Sequence, residues 1–327
     1  MAYTTIDNPE LYFQAKNYTG NASTNAITLD GSENMQPDMV WLKSRSFTQN
    51  AEMYDSVRGA TKRLYPNGTY AEDTDTAGVT AFNSDGFTLG NSNASNKSGE
   101  TFASWNWKES AVSGMDIVSY TGNATNRTIS HSLSAVPKFM IFKRRSTAES
   151  WGVYHVSSGA GKFLRLDGNN AEDSEASVFN STAPTSSVFS LGTSGLCNQN
   201  GGTYIGYLFS EIKGYSKFTS FVGNGNSDGP YCHLGFKPSF VIWKNSTGEA
   251  WGMTDNKRDP HNPNKGHLYP NHTNAEGTGN VIMDFLSNGI KIRWSDGNIN
   301  ANGVKILIMA FAESPFVTST GIPTTAR

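Results

Sequence analysis

The chain has 327 residues, a formal net charge of −2 and only 17% charged residues. Non-specific nucleic-acid binding needs clustered Lys and Arg side chains that neutralise phosphates, and the chain offers only the short run at 143–145, so no nucleic-acid partner is expected. The longest apolar run, at 306–312, is far shorter than the ~20 residues of a membrane-spanning helix, so no membrane insertion is expected.

The composition predicts many short strands. The chain has 33 glycines and 12% aromatic residues, and Asn, Ser and Thr crowd the segments between apolar runs, as in proteins whose strands are joined by tight turns. Its two cysteines, Cys197 and Cys232, do not make a disulfide framework and are expected to be free thiols. The polar N-terminal segment does not have the pattern of a signal peptide.

The predicted elements recur in the same order three times. Phrases of the YTGN type stand at 18, 120 and 221, and each is expected to begin a strand and then to turn. Next come a proline-led apolar strand, an Ala-Glu pair, a Phe/Gly strand and a closing apolar strand. The prolines are Pro37, Pro137 and Pro238. Such self-similarity predicts tandem repeats, and the spacing of short apolar runs favours a β-sandwich or barrel.

We therefore predict an all-β fold of three tandem β-sandwich or jelly-roll-like repeats that pack closely together. Residues 1–17 would form an N-terminal docking arm. The first, second and third units would span residues 18–112, 113–214 and 215–315, and residues 316–327 would form a C-terminal tail. The short junctions between units favour packed units over independent beads.

Several motifs resemble those of tail-fibre-like structural proteins of marine bacteriophages. They include MAYTTIDNPELYFQ at 1–14, DSVRG at 55–59, SDGFTLG at 84–90, GYSKF at 214–218 and RDPHNP at 258–263. The resemblance covers nearly the whole chain. It implies a virion protein, made in the bacterial host cytoplasm, that takes part in host contact, and it provides no catalytic residues to transfer.

Sugar binding is the ligand hypothesis that the residues favour. Trp151 and Trp251 occupy matching places in their units, and Tyr54 lies near the equivalent place in the first unit. An exposed aromatic face stacks on the apolar face of a sugar, and Asn or Asp side chains bind its hydroxyls. The alternative is that all three side chains belong to the strand core, since each lies in an apolar run.

Other polar clusters are interpreted as structural. The pairs Asp55–Arg58 and Asp255–Arg258 are expected to form ion pairs at turns or contacts with another subunit, and Tyr12 and Phe13 to mediate assembly. His261, His267 and His272 do not have standard zinc-ligand spacings, so we predict no metal site. We also predict no cofactor and no enzyme, because the sequence has no recognisable catalytic motif. An embedded glycan hydrolase remains a third hypothesis, although the chain lacks a recognisable acid–base motif.

Two functions are predicted from these features. The first is a tail-fibre or receptor-binding component that contacts a host glycan or protein and forms a homo-oligomer, with a trimer favoured. The second is a non-adhesive virion protein, such as a head decoration, tail adaptor or sleeve. In either case the N-terminal arm would bind other virion proteins.

Overall fold

A computed structural model describes residues 2–324, and almost every regular element in them is a strand, which confirms the all-β prediction. The strands in and just before the first unit are β1 (Phe13–Thr19), β2 (Asn25–Thr28), β3 (Met39–Ser44), β4 (Glu52–Asp55), β5 (Lys62–Arg63), β6 (Asp73–Thr74), β7 (Val79–Asn83), β8 (Gly86–Leu89) and β9 (Thr101–Trp107). Those of the second unit are β10 (Met115–Thr121), β11 (Arg127–Ser130), β12 (Pro137–Arg144), β13 (Gly152–His155), β14 (Lys162–Arg165), β15 (Asp173–Ser174), β16 (Val188–Leu191) and β17 (Thr203–Ser210). Those of the third are β18 (Ser216–Val222), β19 (Tyr231–His233), β20 (Phe236–Asn245), β21 (Trp251–Asp255), β22 (Met283–Leu286), β23 (Gly289–Ile292) and β24 (Lys305–Pro315).

Four helices of a single turn interrupt the strands. They are α1 (Asn93–Asn96), α2 (Ala176–Phe179), α3 (Gly195–Asn198) and α4 (Gly297–Asn300). A 3-10 turn, Pro9–Leu11, precedes β1. No helix within residues 2–324 has the length and apolar character required to cross a membrane.

The same antiparallel strand order occurs in each unit. The first strand pairs with the last, the last with the proline-led strand, and that strand with the one after it. The main sheets are β1-β9-β3-β4 in the first unit, β10-β17-β12-β13-β14-β15 in the second and β18-β24-β20-β21 in the third. β1 begins at Phe13, inside the predicted arm, because Phe13 pairs with Trp107 and its ring is buried.

The central strands of these sheets are buried on both faces. Successive side chains of β3 alternate between two hydrophobic clusters: Met39 and Trp41 point into a central core, and Val40 and Leu42 point outward. Burial on both faces explains why the proline-led strands are continuous apolar runs without polar alternation.

The central core is shared by all three main sheets. The ring centroid of Phe13 lies 5.3 Å from that of Phe311 and 5.7 Å from that of Phe240, and Trp107 lies 6.3 Å from Phe209. Smaller sheets cover the outer faces: β2-β8-β7 in the first unit, β11-β16 in the second and β19-β23-β22 in the third. Each unit is therefore a two-layer sandwich whose larger sheet faces the common core.

Backbone hydrogen bonds join the units into a closed ring. At each seam, the amide of a glutamate donates to a carbonyl at or just after the end of the proline-led strand of another unit. The bonds are Glu72 to Arg145 (3.0 Å), Glu172 to Ser246 (2.9 Å) and Glu276 to Arg45 (2.8 Å). The third bond returns to the first unit, so the arrangement is a ring and not a row. These glutamates are those of the Ala-Glu pairs in the sequence.

A buried asparagine explains the repeated Gly-Asn turn. In the first unit, Asn96 at the end of α1 accepts a hydrogen bond from the amide of Asn21 (2.9 Å) and donates to the carbonyls of Ser23 and Gly90 (2.6 Å each). A Cβ atom on Gly20 would lie 2.2 Å from the carbonyl oxygen of Lys97, so only glycine allows this approach. Asn198 and Asn300 make the equivalent bonds in the other units.

The prolines do not share one position. Pro137 is the first residue of β12, as predicted, whereas Pro37 precedes β3 by two residues. Pro238 is the third residue of β20, where the pairing with β24 shifts register. A proline cannot donate to a ladder hydrogen bond, so an irregularity inside the strand accommodates it.

The terminal segments lie on the body of the protein. Tyr3 donates its hydroxyl to the carbonyl of Gly235 (2.7 Å), and Ile6 is buried in the central core. Asp7 accepts hydrogen bonds from the amide and hydroxyl of Ser319, 2.6 and 2.5 Å away. The two segments are thus next to each other. Residue 1 of the predicted arm and residues 325–327 of the predicted tail lie outside the described residues.

A pair of carboxyl groups lies at the junction of the first two units. Burial, followed by a hydrogen bond with Asp116, raises the pKa of Glu109 from 4.5 to about 7. The corresponding Glu211 instead forms a 2.7 Å ion pair with Lys217, and Glu313 one of 2.8 Å with Lys237. Only the first of these three glutamates therefore faces another carboxyl group.

We expect this pair to make stability depend on pH. Because folding raises the pKa of Glu109, its contribution to the free energy of unfolding is complete below pH 4.5 and is lost as the pH rises to about 7. The free energy of unfolding of Glu109→Gln is therefore expected to rise, relative to that of wild type, by roughly 1–2 kcal/mol between pH 4.5 and pH 7. This figure allows for the partial solvent exposure of Glu109. Urea denaturation at pH 4.5, 5.5 and 7 measures the change. Glu211→Gln, which removes the carboxylate paired with Lys217, is the control; an equal rise in both variants would contradict the prediction.

Candidate ligand-binding site

The three aromatic residues predicted to bind sugar lie in the interior. Tyr54 and Trp151 are 0% exposed, and Trp251 is 2% exposed. The indole N–H of Trp151 donates to the carbonyls of Tyr65 (2.9 Å) and Gly68 (3.2 Å), and that of Trp251 to the carbonyl of Arg165 (2.8 Å). The tryptophans thus join neighbouring units, and the structure offers none of the three ring faces to a ligand.

The strand register also corrects the predicted equivalence of Tyr54. Ala51, and not Tyr54, occupies the place of Trp151 and Trp251. The amide of Ala51 donates to the side-chain oxygen of Asn67, as those of Trp151 and Trp251 do to Asp167 and Asn271. One of the three seams therefore lacks the indole.

The predicted ion pairs form within this chain and are buried. Nε of Arg58 lies 2.5 Å from Asp55, and Nε of Arg258 lies 2.5 Å from Asp255. Each aspartate also binds a side chain of another unit: Asp55 accepts from the hydroxyl of Tyr207 at 2.6 Å, and Asp255 from the indole of Trp105 at 2.9 Å.

Tyr12 and Phe13, predicted to mediate assembly, contact residues of the same chain. The half-buried ring of Tyr12 lies 6.2 Å from that of Tyr215. Phe13 belongs to the central core.

The side chains of the three histidines between residues 261 and 272 do not meet at one point. His261 is exposed, Nε2 of His267 lies 3.1 Å from the hydroxyl of Tyr269, and Nε2 of His272 lies 3.1 Å from Oδ1 of Asn169. Between residues 2 and 324 there is no group of three or more His, Cys, Asp or Glu side chains placed to hold a metal ion. Cys197 and Cys232 are free and buried.

A groove beside the seam of the first and second units combines an exposed aromatic ring with polar side chains. The loop that follows Leu64, which pairs with Met53, forms the groove, and its cavity has a volume of about 380 Å³. It is lined by Asn50, Tyr65, Tyr70, Ala71, Glu72 and Asp73. We call it the tyrosine groove.

The second unit holds the loop of the tyrosine groove in place. The carbonyl of Thr69 accepts hydrogen bonds from Nζ of the buried Lys143 (3.0 Å) and from the amide of Glu149 (2.8 Å). The indole of Trp151 binds two more carbonyls of the same loop. A loop fixed in this way has little conformational freedom left to lose when a ligand binds.

Tyr70 is the ring that the tyrosine groove presents to solvent. It is 57% exposed, and the edge-on ring of Tyr65 lies 5.3 Å away, at an interplanar angle of 68°. The Tyr70 ring covers Gly68 so closely that a Cβ atom there would lie 2.7 Å from it. Gly68 and Tyr65 therefore each contact the ring of Tyr70.

Carboxylates provide the hydrogen-bond acceptors of the tyrosine groove. Asp73 accepts from the hydroxyl of Tyr65 (2.9 Å) and from Nη2 of Arg63 (2.8 Å). Partial burial opposes ionisation of Asp73, but the bonds from Arg63 and Tyr65 outweigh it and lower its pKa. The pKa of Glu72 is likewise lowered, because bonds from Arg145 and the charge of Arg58 outweigh its desolvation. Both groups are ionised at neutral pH.

The comparison with known families decides where the chain belongs. A family model described as "Domain of unknown function (DUF7483)" matches residues 8–315, nearly the whole chain. The chain belongs to the DUF7483 family. No curated protein and no solved structure matches it. The DUF7483 match extends across all three main sheets, so the closed ring lies within a single family domain.

Sequence reasoning missed the tyrosine groove in this DUF7483 protein although a signal was present. Tyr65 and Tyr70 flank an Asn-Gly turn in YPNGTYAE, directly before the Ala-Glu pair that marked the unit. It also missed the buried asparagines. Each comes four residues after a helix-capping Ser or Asp, at Ser92, Ser194 and Asp296.

Proposed function

We propose that this protein is a non-enzymatic structural component of a bacteriophage virion that contacts the host by binding a surface saccharide in the tyrosine groove. The motif resemblance to tail-fibre-like proteins supports the virion role. The groove supports the ligand class.

The fixed, exposed ring of Tyr70 carries the proposal. A tyrosine ring held by Gly68 and Tyr65 provides a flat apolar surface on which the C–H face of a sugar can stack. Asn50, Glu72 and Asp73 line the same cavity and can bind sugar hydroxyls. A few polar groups around an aromatic surface are the usual composition of a small-molecule site.

The charge of the groove narrows the ligand class. Arg63 interacts with Asp73, and Arg58 and Arg145 with Glu72, so the guanidinium groups next to the groove carboxylates are already paired. Two ionised carboxylates would repel an anionic sugar. The groove therefore fits a neutral saccharide better than a phosphorylated or uronic-acid-rich one.

Replacing Tyr70 with alanine is expected to weaken saccharide binding in the tyrosine groove about tenfold, the effect of losing about 1.4 kcal/mol of stacking. The wild-type protein would first be applied to an array of bacterial surface glycans. Isothermal titration with the tightest neutral glycan would then compare the variant. Because Tyr70 is largely exposed, the melting temperature should not change.

Tyr231→Ala is the matched control, since Tyr231 is another exposed tyrosine, at 44%, but lies on β19 of the third unit. It should bind like wild type. Equal affinities of Tyr70→Ala and Tyr231→Ala would contradict the groove assignment.

A non-adhesive virion protein is the second candidate, favoured by the position of the chain ends. Tyr3 and Phe316 lie 6.4 Å apart between ring centroids, so both terminal segments share one side, where another virion protein could attach. Imaging intact particles with an antibody against the third unit separates the candidates. Labelling at distal tail tips with blocked adsorption supports host contact; labelling on the head or collar with normal adsorption overturns it.

A further inference from the structure

We propose that the chain carries a second saccharide site in the third unit, at the place equivalent to the tyrosine groove, so that one molecule binds a surface glycan at two points. This inference rests on the proposed function of the tyrosine groove.

The strand register establishes the equivalence. Leu268 pairs with Met253 as Leu64 pairs with Met53. Counting from these bridges, Tyr269 takes the place of Tyr65. In the same register, His272 replaces Gly68, Asn274 replaces Tyr70 and Ala250 replaces Asn50.

A cavity is present at this second place. Its volume is about 330 Å³, similar to that of the tyrosine groove. It is lined by Asn169, Glu249, Ala250, Tyr269, Asn274 and Asp296, together with His272 and Asn298. Three of these residues, Ala250, Tyr269 and Asn274, are the counterparts of groove residues. We call this cavity the histidine groove.

The histidine groove replaces the tyrosine pair with a tyrosine and a histidine. The rings of Tyr269 and His272 lie 5.4 Å apart, close to the 5.3 Å between Tyr65 and Tyr70. His267 fixes the tyrosine from the other side: Nε2 of His267 is 3.1 Å from its hydroxyl, and the two rings meet edge-on at 88°. Tyr269 therefore contacts both histidine rings.

The polar groups of the histidine groove fit a hydroxyl-rich ligand. The side chains of Asn169 and Asn274 bring amide groups to it, and Glu249 and Asp296 are exposed carboxyl groups on its edge. Asn169 comes from the second unit and contacts His272 at 3.1 Å, so the site spans a seam, with one wall from each unit. A neutral saccharide suits it for the same reason as the tyrosine groove.

The second unit does not have the aromatic pair. Arg165 replaces Tyr65, and its guanidinium lies 4.7 Å from the centre of the Phe163 ring. Asn170 replaces Tyr70, with its side-chain oxygen over Gly168. We therefore infer two sites and not three. Two sites on one body raise the avidity for a polymeric glycan without any new contact.

The test counts binding sites. Isothermal titration of the full chain with a short neutral oligosaccharide, chosen from the bacterial glycan array, should give two sites per molecule. Tyr269→Ala and Tyr70→Ala should each leave one site unchanged and weaken the other about tenfold, and the double variant should weaken both. Each single variant should also bind the corresponding polysaccharide at least tenfold more weakly.

Controls separate failure of this inference from failure of the proposed function. Arg165→Ala, at the equivalent position of the second unit, should keep both sites. Asn274→Ala, on the exposed edge, should weaken one site even if Tyr269→Ala does not fold. One site in wild type, weakened about tenfold in Tyr70→Ala, would overturn the second site alone. Two sites unaffected by both third-unit variants would also overturn it, and no binding to any array glycan would overturn both proposals.

Discussion

Replacing Arg58 with serine is expected to lower the free energy of unfolding by about 3–5 kcal/mol, the usual effect of removing one partner of a buried ion pair. The side chains of Arg58 and Asp55 are both 0% exposed. Without the guanidinium, the carboxylate of Asp55 would keep only the Tyr207 hydroxyl and the amide of residue 58 as partners. Urea denaturation monitored by tryptophan fluorescence would measure the loss.

The second unit provides the control for this variant. His155 and Ser158 stand there in the places of Asp55 and Arg58, and Nε2 of His155 lies 3.2 Å from the carbonyl of Ile308. The double variant Asp55→His/Arg58→Ser reproduces that pair and removes the buried charge. It should be more stable than Arg58→Ser. If the effects of the two substitutions simply add, the uncompensated charge is not the cause of the loss.

Replacing Trp151 with alanine is expected to lower the free energy of unfolding by about 3–5 kcal/mol, as for other large buried aromatic residues. The variant would leave a cavity at the seam of the first two units and deprive the carbonyls of Tyr65 and Gly68 of their indole donor. Since both carbonyls belong to the tyrosine-groove loop, hydrogen exchange at residues 65–72 should accelerate more than elsewhere. Saccharide affinity should fall along with stability.

Trp294→Ala is the comparison for this prediction. Trp294 is partly exposed and packs beside His267 in the third unit, away from the first two units. This substitution should lower the free energy of unfolding less than Trp151→Ala does. It should leave hydrogen exchange at residues 65–72 unchanged. Trp151→Phe, which keeps the ring but not the donor, should lie between alanine and wild type. A faster exchange in Trp294→Ala equal to that in Trp151→Ala would contradict the seam-specific role.

The sequence allowed the all-β class and the strands to be predicted because the pattern was strong and repeated. Apolar runs such as MVWLK and FVIWK became strands β3 and β20. The same repeated pattern also favoured Trp151 and Trp251 as ligand-binding residues. They occupy matching positions because they hold seams together. Matching position in a repeat does not distinguish a binding role from a structural one.

The site itself depended on information that the sequence does not display. The exposed ring of Tyr70 lies beside Gly68 and Tyr65, and Trp151 is buried because a loop of another unit covers it. Contacts between distant segments decide both outcomes. The equivalence of Ala51 with the two tryptophans needed the strand register, since a shift of three residues made Tyr54 look equivalent.

The closed ring also has a consequence for synthesis on the ribosome. The seam between the first and third units joins Arg45 to Glu276, so the last unit must leave the ribosome before the inner face of the first sheet is covered. Until then Trp41, Trp105 and Trp107 lack their third-unit neighbours. Contacts so distant in sequence form slowly and leave apolar surface open to aggregation. The availability of chaperones until the chain is complete would therefore limit the yield of folded protein.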